Sequence, residues 1–199
     1  QFSMDEHDGF LRIATTDWSD ASVSNSLLVL QQVDTQLEVV GSVTGIEPDE
    51  TIYSTRFQGD RGYMVTFRQI DPLFTFDLSD PFDPKMVGEL EVTGFSNYLH
   101  PFGDDRLLAV GEEVTTQGQP LGLQISVFDV SDFANPQLED RAVVPGMGWS
   151  EAQYDHHAFT FYEAADVLAL PVQRWGNDDL PDASLALFAV DEDAEDILV

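Results

Sequence analysis

The sequence predicts an all-β chain: a β-propeller of about four antiparallel four-stranded blades, standing as part of a larger propeller. Three observations predict it. Phe76-Asp77-Leu78-Ser79-Asp80-Pro81-Phe82-Asp83-Pro84 returns as Phe128-Asp129-Val130-Ser131-Asp132-Phe133-Ala134-Asn135-Pro136, an offset of 52 residues (128 minus 76). That spacing suits one four-stranded blade following another. Apolar runs such as Tyr63-Met64-Val65-Thr66-Phe67 and Ser126-Val127-Phe128-Asp129-Val130 are short, β-branched and aromatic, and bounded by Gly, Pro, Asn or Asp. No long stretch carries a helical period.

Four units of roughly fifty residues follow from this repeat. The first, 1–47, runs from Gly9-Phe10-Leu11-Arg12-Ile13-Ala14 through Gly45. The second, 48–95, opens its repeat with Gly59-Asp60-Arg61-Gly62 and closes with Met86-Val87-Gly88-Glu89-Leu90-Glu91-Val92 and Gly94. The third, 96–147, matches it with Gly103-Asp104-Asp105-Arg106-Leu107-Leu108-Ala109-Val110, then Ala142-Val143-Val144 and Gly146. The fourth, 148–199, takes its strands from Val167-Leu168-Ala169-Leu170 and Leu185-Ala186-Leu187-Phe188. Within the repeated element the aspartates and serine can bond nearby backbone amides, while Pro84 and Pro136 cannot continue a central ladder, so the strand must turn. A calcium loop is the other reading. It needs several oxygen ligands converging with a defined spacing, which this element lacks.

A chain of 199 residues with 43% hydrophobic content can bury a sizeable core. Its charge is extreme, with 37 Asp and Glu against 8 Lys and Arg, a formal net charge of −29, and Lys85 as the only lysine. Self-repulsion on that scale disfavours a compact state at low salt and is screened at high ionic strength, so salt adaptation is expected. Weak binding of divalent cations over the whole surface is compatible with it. Nucleic acid is a poor partner, because phosphate contacts need a basic patch and the arginines are scattered. The absence of cysteine excludes disulfides and thiolate chemistry. No apolar stretch is long enough to span a membrane and none reads as a signal peptide, so any targeting segment is expected to have been removed or to lie outside this chain. The chain opens at Gln1 inside what reads as a blade, so a longer precursor is expected.

Candidate chemistry lies in the histidines. His100 falls in Tyr98-Leu99-His100-Pro101-Phe102, just before the first strand of the third unit, and His156 and His157 fall in Tyr154-Asp155-His156-His157-Ala158-Phe159 before that of the fourth. Aligning Phe102 with Phe159 makes His100 and His157 equivalent, with Thr55 and Phe2 at the matching places. Both imidazoles would then look toward a propeller channel and, with Asp155 or His156, would ligate a divalent transition metal; calcium is the other ion considered. The competing reading is two histidines that cap strand ends or bind channel water. His7 reads as a surface turn residue. Arg56 and Arg68 read as buried partners of carboxylates, and Trp18, Trp149 and Trp175 as packing between blades or exposed for ligand stacking. Acidic pairs such as Asp104-Asp105, Glu112-Glu113 and Asp178-Asp179 are expected by chance at this composition, and a glycosidase needs two carboxylates across a cleft, which adjacency does not provide. No nucleophile elbow, dinucleotide turn or phosphate loop occurs.

Five segments together resemble a known family: Gln1-Phe2-Ser3-Met4-Asp5-Glu6, Phe10-Leu11-Arg12-Ile13-Ala14-Thr15-Thr16, Thr66-Phe67-Arg68-Gln69-Ile70-Asp71-Pro72-Leu73, Gly94-Phe95-Ser96-Asn97-Tyr98-Leu99-His100-Pro101 and Tyr154-Asp155-His156-His157-Ala158-Phe159. It is that of secreted bacterial and archaeal proteins with a C-terminal β-propeller distantly related to WD40 repeats. The resemblance covers nearly the whole chain and implies a secreted or envelope-attached propeller without an established activity, in domains much longer than this one. It supplies no catalytic residues. Two function classes follow: a non-enzymatic module that binds a protein, glycan or ion outside the cell, or a metal-dependent oxidoreductase or hydrolase with His100 and His157 on a channel metal. A closed four-bladed ring fits the length. An open arc of a larger propeller fits the resemblance, its exposed edges covered by missing blades or another chain.

Overall fold

The structure, a computed structural model, describes residues 3–19, 22–67, 71–115, 117, 119–144, 148–174 and 183–190. Gln1, Phe2, Arg68, Gly146, Trp175, Asp178 and Asp179, all weighed above, lie outside the described residues. The fold is all-β, with four antiparallel four-stranded sheets in chain order. Contacts divide it into two compact units, 1–92 with 132–136, and 93–131 with 137–199.

The first unit holds two sheets. One runs β1 (Met4–His7), β2 (Phe10–Ser19), β3 (Ser22–Val33), β4 (Gln36–Ile46), and the other β5 (Thr51–Gln58), β6 (Arg61–Phe67), β7 (Asp71–Asp77), β8 (Lys85–Val92). Each is a meander in which sequence neighbours pair. Strands alternate in the direction of their side chains. In β2 and β3 one set, including Ala14, Leu27 and Val29, is buried in a cluster with Phe57, Met64, Phe74, Phe76 and Leu78 of the second sheet. Burying these aliphatic and aromatic side chains stabilises the unit by about 1.5–3 kcal/mol for each large residue.

The second unit holds β9 (Phe95–Phe102), β10 (Arg106–Val114), β11 (Pro120–Asp129) and β12 (Gln137–Val143) in one sheet. The other contains β13 (Gly148–Trp149), β14 (Thr160–Tyr162), β15 (Val167–Arg174) and β16 (Ala183–Ala189). Here the first strand is broken: β13 and β14 pair with opposite ends of β15, and the 3-10 turns Glu151–Gln153 and His156–Ala158 lie between them. Among the described residues there is no α-helix, and no helix long and apolar enough to cross a membrane.

The repeated element folds the same way twice. Asp77 Oδ1 accepts from Ser79 N (3.0 Å) and Asp80 Oδ1 from Phe82 N (2.9 Å). Asp129 and Asp132 repeat this with Ser131 N (2.8 Å) and Ala134 N (3.2 Å). Between the aspartates the chain is pinned inward, Leu78 N donating to Asp60 O and Val130 N to Asp105 O, both at 2.8 Å. Val190 N makes the same bond to Asp166 O at 2.7 Å, so Phe188-Ala189-Val190 is a third, aspartate-free copy of the pattern. The first sheet has none, because β3 passes into β4 through the two-residue turn Asp34-Thr35.

Candidate functional site

Ser150 opens the break in the fourth sheet with a capping box: its hydroxyl accepts from Ala152 N, and Gln153 Oε1 accepts from Ser150 N at 2.9 Å. Asp155 then caps the next turn, Oδ1 accepting from His157 N at 3.0 Å and lying 2.8 Å from His157 Nδ1. His156 Nδ1 lies 3.9 Å from the same oxygen, and the two imidazole rings, tilted 36° to each other, have centroids 3.9 Å apart. A ligand atom from each of Asp155, His156 and His157 falls within 4.8 Å of the others, and all three residues are exposed. The bonds from the His157 backbone and side chain hold the Asp155 carboxyl below the usual carboxylate range.

His100 stands apart from this trio. It lies within β9 rather than before it, half-buried, with Nδ1 3.4 Å from the Tyr98 hydroxyl and its ring 4.6 Å from that of Phe159. Strand register explains why: His100 pairs with Leu108, third in β10, and the residue paired with the third position of β15 is Thr160. His157 precedes β14 in a 3-10 turn, so the two histidines are not equivalent. Arg56, half-buried, takes the corresponding place in β5 opposite Tyr63, third in β6, and Thr55 lies one position away.

Of the remaining candidates, Trp18 is exposed, and Trp149 is half-buried with its ring 5.9 Å from Tyr154. Glu113 pairs with Arg141 at 3.1 Å. His7 ends β1 with Nε2 3.4 Å from Asp60 Oδ1. It lines a cavity of about 130 Å³ with Phe10, Arg12, Asp60 and Leu78.

Arg12 is the residue that the histidine-centred reading missed. Its side chain is 3% exposed, and its guanidinium holds Asp5 through Nε and Nη2 at 2.7 Å each, donates to the Gly59 carbonyl, and lies over the Phe57 ring. The signal was period-2 alternation, which puts Arg12 on the same strand face as Phe10 and Ala14.

The described geometry is thus three meander sheets, a fourth sheet whose first strand is broken, one exposed Asp-His-His turn and one buried ion pair. Compared with known families, residues 1–197 match the Beta propeller domain. The chain belongs to that family. Two relatives of this Beta propeller chain are described only as uncharacterized, from Archaeoglobus fulgidus (44% identical over 177 residues) and, as MJ1554, from Methanocaldococcus jannaschii (41% over 173). The matches cover 88% and 85% of this chain and 26% of each relative, so the chain spans about a quarter of their length. Among solved structures, a hypothetical selenium-binding protein from Sulfolobus tokodaii superposes with a TM-score of 0.50 at 13% identity. That match covers 68% of this chain and 38% of the other, and bears on the fold alone.

Proposed function

We propose that the chain is a non-enzymatic binding and scaffold module of a secreted or envelope-attached, salt-adapted propeller, as its likeness to secreted WD40-related propellers implies. The carrying observation is an apolar sheet face turned away from the core. On the side of the first sheet opposite Ala14 and Val29, Met4, Ile13 and Leu28 form one cross-strand row, and Leu11, Leu30 and Val39 a second. Met4 is 60% and Val39 55% exposed. In a chain with a net charge of −29, so contiguous an apolar surface marks a protein contact. The fourth sheet repeats the feature: Leu185 and Leu187 are exposed and pair with Pro171 and Ala169. Further blades or a partner protein would cover these rows. Sedimentation velocity tests the reading: in molar salt the chain associates with rising concentration, and Leu28→Glu with Leu30→Glu abolishes the association. A wild type that stays monomeric at every concentration overturns it.

A metal-dependent enzyme is the second reading, favoured by the Asp155, His156 and His157 cluster alone. Two imidazoles and one carboxylate suit a transition metal better than calcium, whose sites are built from six or more oxygens. Elemental mass spectrometry on untagged protein decides it. Stoichiometric metal lost in His157→Ala and kept in His100→Ala supports a site at the turn, and metal-free wild type removes the reading.

A further inference from the structure

A second cavity, of about 180 Å³, opens in the first unit where β2 meets β5. Its wall is built from hydroxyls: Ser3, Thr16, Ser54 and Thr55, with Tyr53 beside them. Thr16 Oγ1 is engaged, donating to Asn25 Oδ1 at 2.7 Å and accepting from Ile52 N at 3.4 Å. Thr55 is different. Its residue is 3% exposed, and among the described residues its hydroxyl has no hydrogen-bond partner. A buried hydroxyl left so is costly, and it can both donate and accept.

Backbone geometry adds a second observation. The β5–β6 ladder passes from Ile52 opposite Thr66 to Ser54 opposite Val65, so Tyr53 is the extra residue of a β-bulge. Bulges re-aim side chains, and this one leaves Tyr53 38% exposed at the cavity, its ring packed edge-on against Phe67 at 5.3 Å. An aromatic face next to a hydroxyl wall matches a ligand with C–H groups on one side and hydroxyls on the other.

The second unit shows how a comparable place is filled. Thr16 is the seventh residue of β2, and Glu112 the seventh of β10. Against Glu112 the chain inserts the side-chain amide of Gln153, which donates to Glu112 Oε1 at 3.4 Å and Asn97 Oδ1 at 2.9 Å. A neutral polar group of the protein thus occupies there what the first unit leaves as a cavity lined by neutral hydroxyls. Among the described residues no charged side chain lines that cavity, so they offer an ion neither carboxylate nor guanidinium there. Its volume far exceeds the ~10–15 Å³ that one water needs and falls below the ~300–1,000 Å³ of drug-sized sites.

We infer that this cavity binds a small neutral polyhydroxylated ligand of monosaccharide or polyol size, with the Thr55 hydroxyl as its buried hydrogen-bond partner and Tyr53 as its stacking face. Neither the apolar sheet faces nor the Asp-His-His turn takes part, so the site stands whether or not those readings hold. The test is saturation-transfer difference NMR on the full chain, with glycerol, myo-inositol and the methyl glycosides of glucose, galactose, mannose and N-acetylglucosamine as probes and acetate as the charged control. The expected result is transfer to at least one neutral probe and none to acetate. Thr55→Val should weaken that binding by about tenfold, the loss of one hydrogen bond; Tyr53→Ala should weaken it as well, while Tyr53→Phe keeps it. Circular dichroism verifies that each variant is folded. No transfer to any neutral probe, which would make the cavity a water site, overturns the inference, as does transfer unchanged in both Thr55→Val and Tyr53→Ala.

Discussion

The hydroxyl of Thr75 donates to the carbonyl oxygen of Phe133 at 2.6 Å, fastening the second copy of the repeated turn onto β7. Gly88, opposite Thr75 in β8, makes room for it: a Cβ there would lie 2.6 Å from Thr75 Oγ1, 2.7 Å from Phe133 O and 2.9 Å from Ala134 O. The first copy seats on Gly41 in the same way, where a Cβ would strike the Pro81 carbonyl and lie 2.7 Å from Pro84 Cδ. Each turn therefore does more than reverse its own strand; it packs on a glycine in the last strand of the preceding sheet. Gly88→Ala and Gly41→Ala should each destabilise by about 1–3 kcal/mol, the cost of forcing atoms into a packed site. Thr75→Val should cost about 1 kcal/mol by leaving the Phe133 carbonyl without its donor. Denaturant melts would check this, and an unchanged midpoint for either glycine variant would remove the turn from sheet packing.

Arg12 and Asp5 supply a second test. Arg12 is buried and bidentate, whereas Arg106 and Glu139 form the same fork at 2.6 and 2.8 Å with both side chains more than a quarter exposed. Removing one partner of a buried pair leaves an uncompensated charge, worth about 3–5 kcal/mol when burial is complete. Asp5 is 33% exposed, so Asp5→Ala should fall near the lower end of that range. Glu139→Ala should cost less than about 1 kcal/mol. Equal losses in the two variants would show that burial of Arg12 contributes nothing.

The repeated turn was legible in the sequence because Asp, Ser and Pro encode its bonds locally: each carboxylate reaches an amide two residues ahead. Gly41 and Gly88 were not, since their need for a bare Cα arises from a turn that is distant in sequence. Adjacent residues Asp155, His156 and His157 were bound to stay together. His100 was grouped with them by aligning Phe102 with Phe159, yet Phe102 pairs with Arg106 and the corresponding partner of Val167 is Tyr162. Two 3-10 turns before β14 and the longer β14–β15 connection shift that alignment by three residues, and neither changes the apolar pattern from which it was drawn. The bulge that exposes Tyr53 was likewise silent, because one extra residue in a strand leaves no compositional mark.

Acid should act on this fold in two opposite ways. Glu47 is held above the usual carboxylate range, first by burial and then by repulsion from Glu50, Glu89 and Glu91. A raised folded value means stability that is full below the unfolded value and lost as pH rises through the folded one, so lowering pH from 7 should first stabilise. Asp77 and Asp129 are held below the usual range, chiefly by bonds from the Ser79 and Ser131 side chains and then their backbone amides. A lowered folded value means stability present above the unfolded value, near 3.9 for aspartate, and lost as pH falls through the folded one. Thermal melts across pH should therefore pass through a maximum in the weakly acidic range. Glu47→Gln should flatten the neutral side, and Asp77→Asn with Asp129→Asn the acid side; a profile unmoved by either set would refute these linkages.

Salt should matter more for this chain than for one of ordinary charge. A net charge of −29 on 199 residues, with eight cationic side chains to offset it, makes long-range repulsion a standing cost of the compact state. The screening length falls from about 10 Å at 0.1 M salt to about 3 Å at 1 M. Melting temperature should thus climb through that range in NaCl and in KCl alike, because screening depends on ionic strength rather than on the cation. The same salt weakens exposed pairs such as Lys85 with Asp83 at 2.8 Å, but those are worth about 0–1 kcal/mol each and are few. Repulsion therefore governs the sign. A melting temperature that stays flat from 0.1 to about 1 M would refute it, and a rise in NaCl without one in KCl would replace screening with binding of a specific cation.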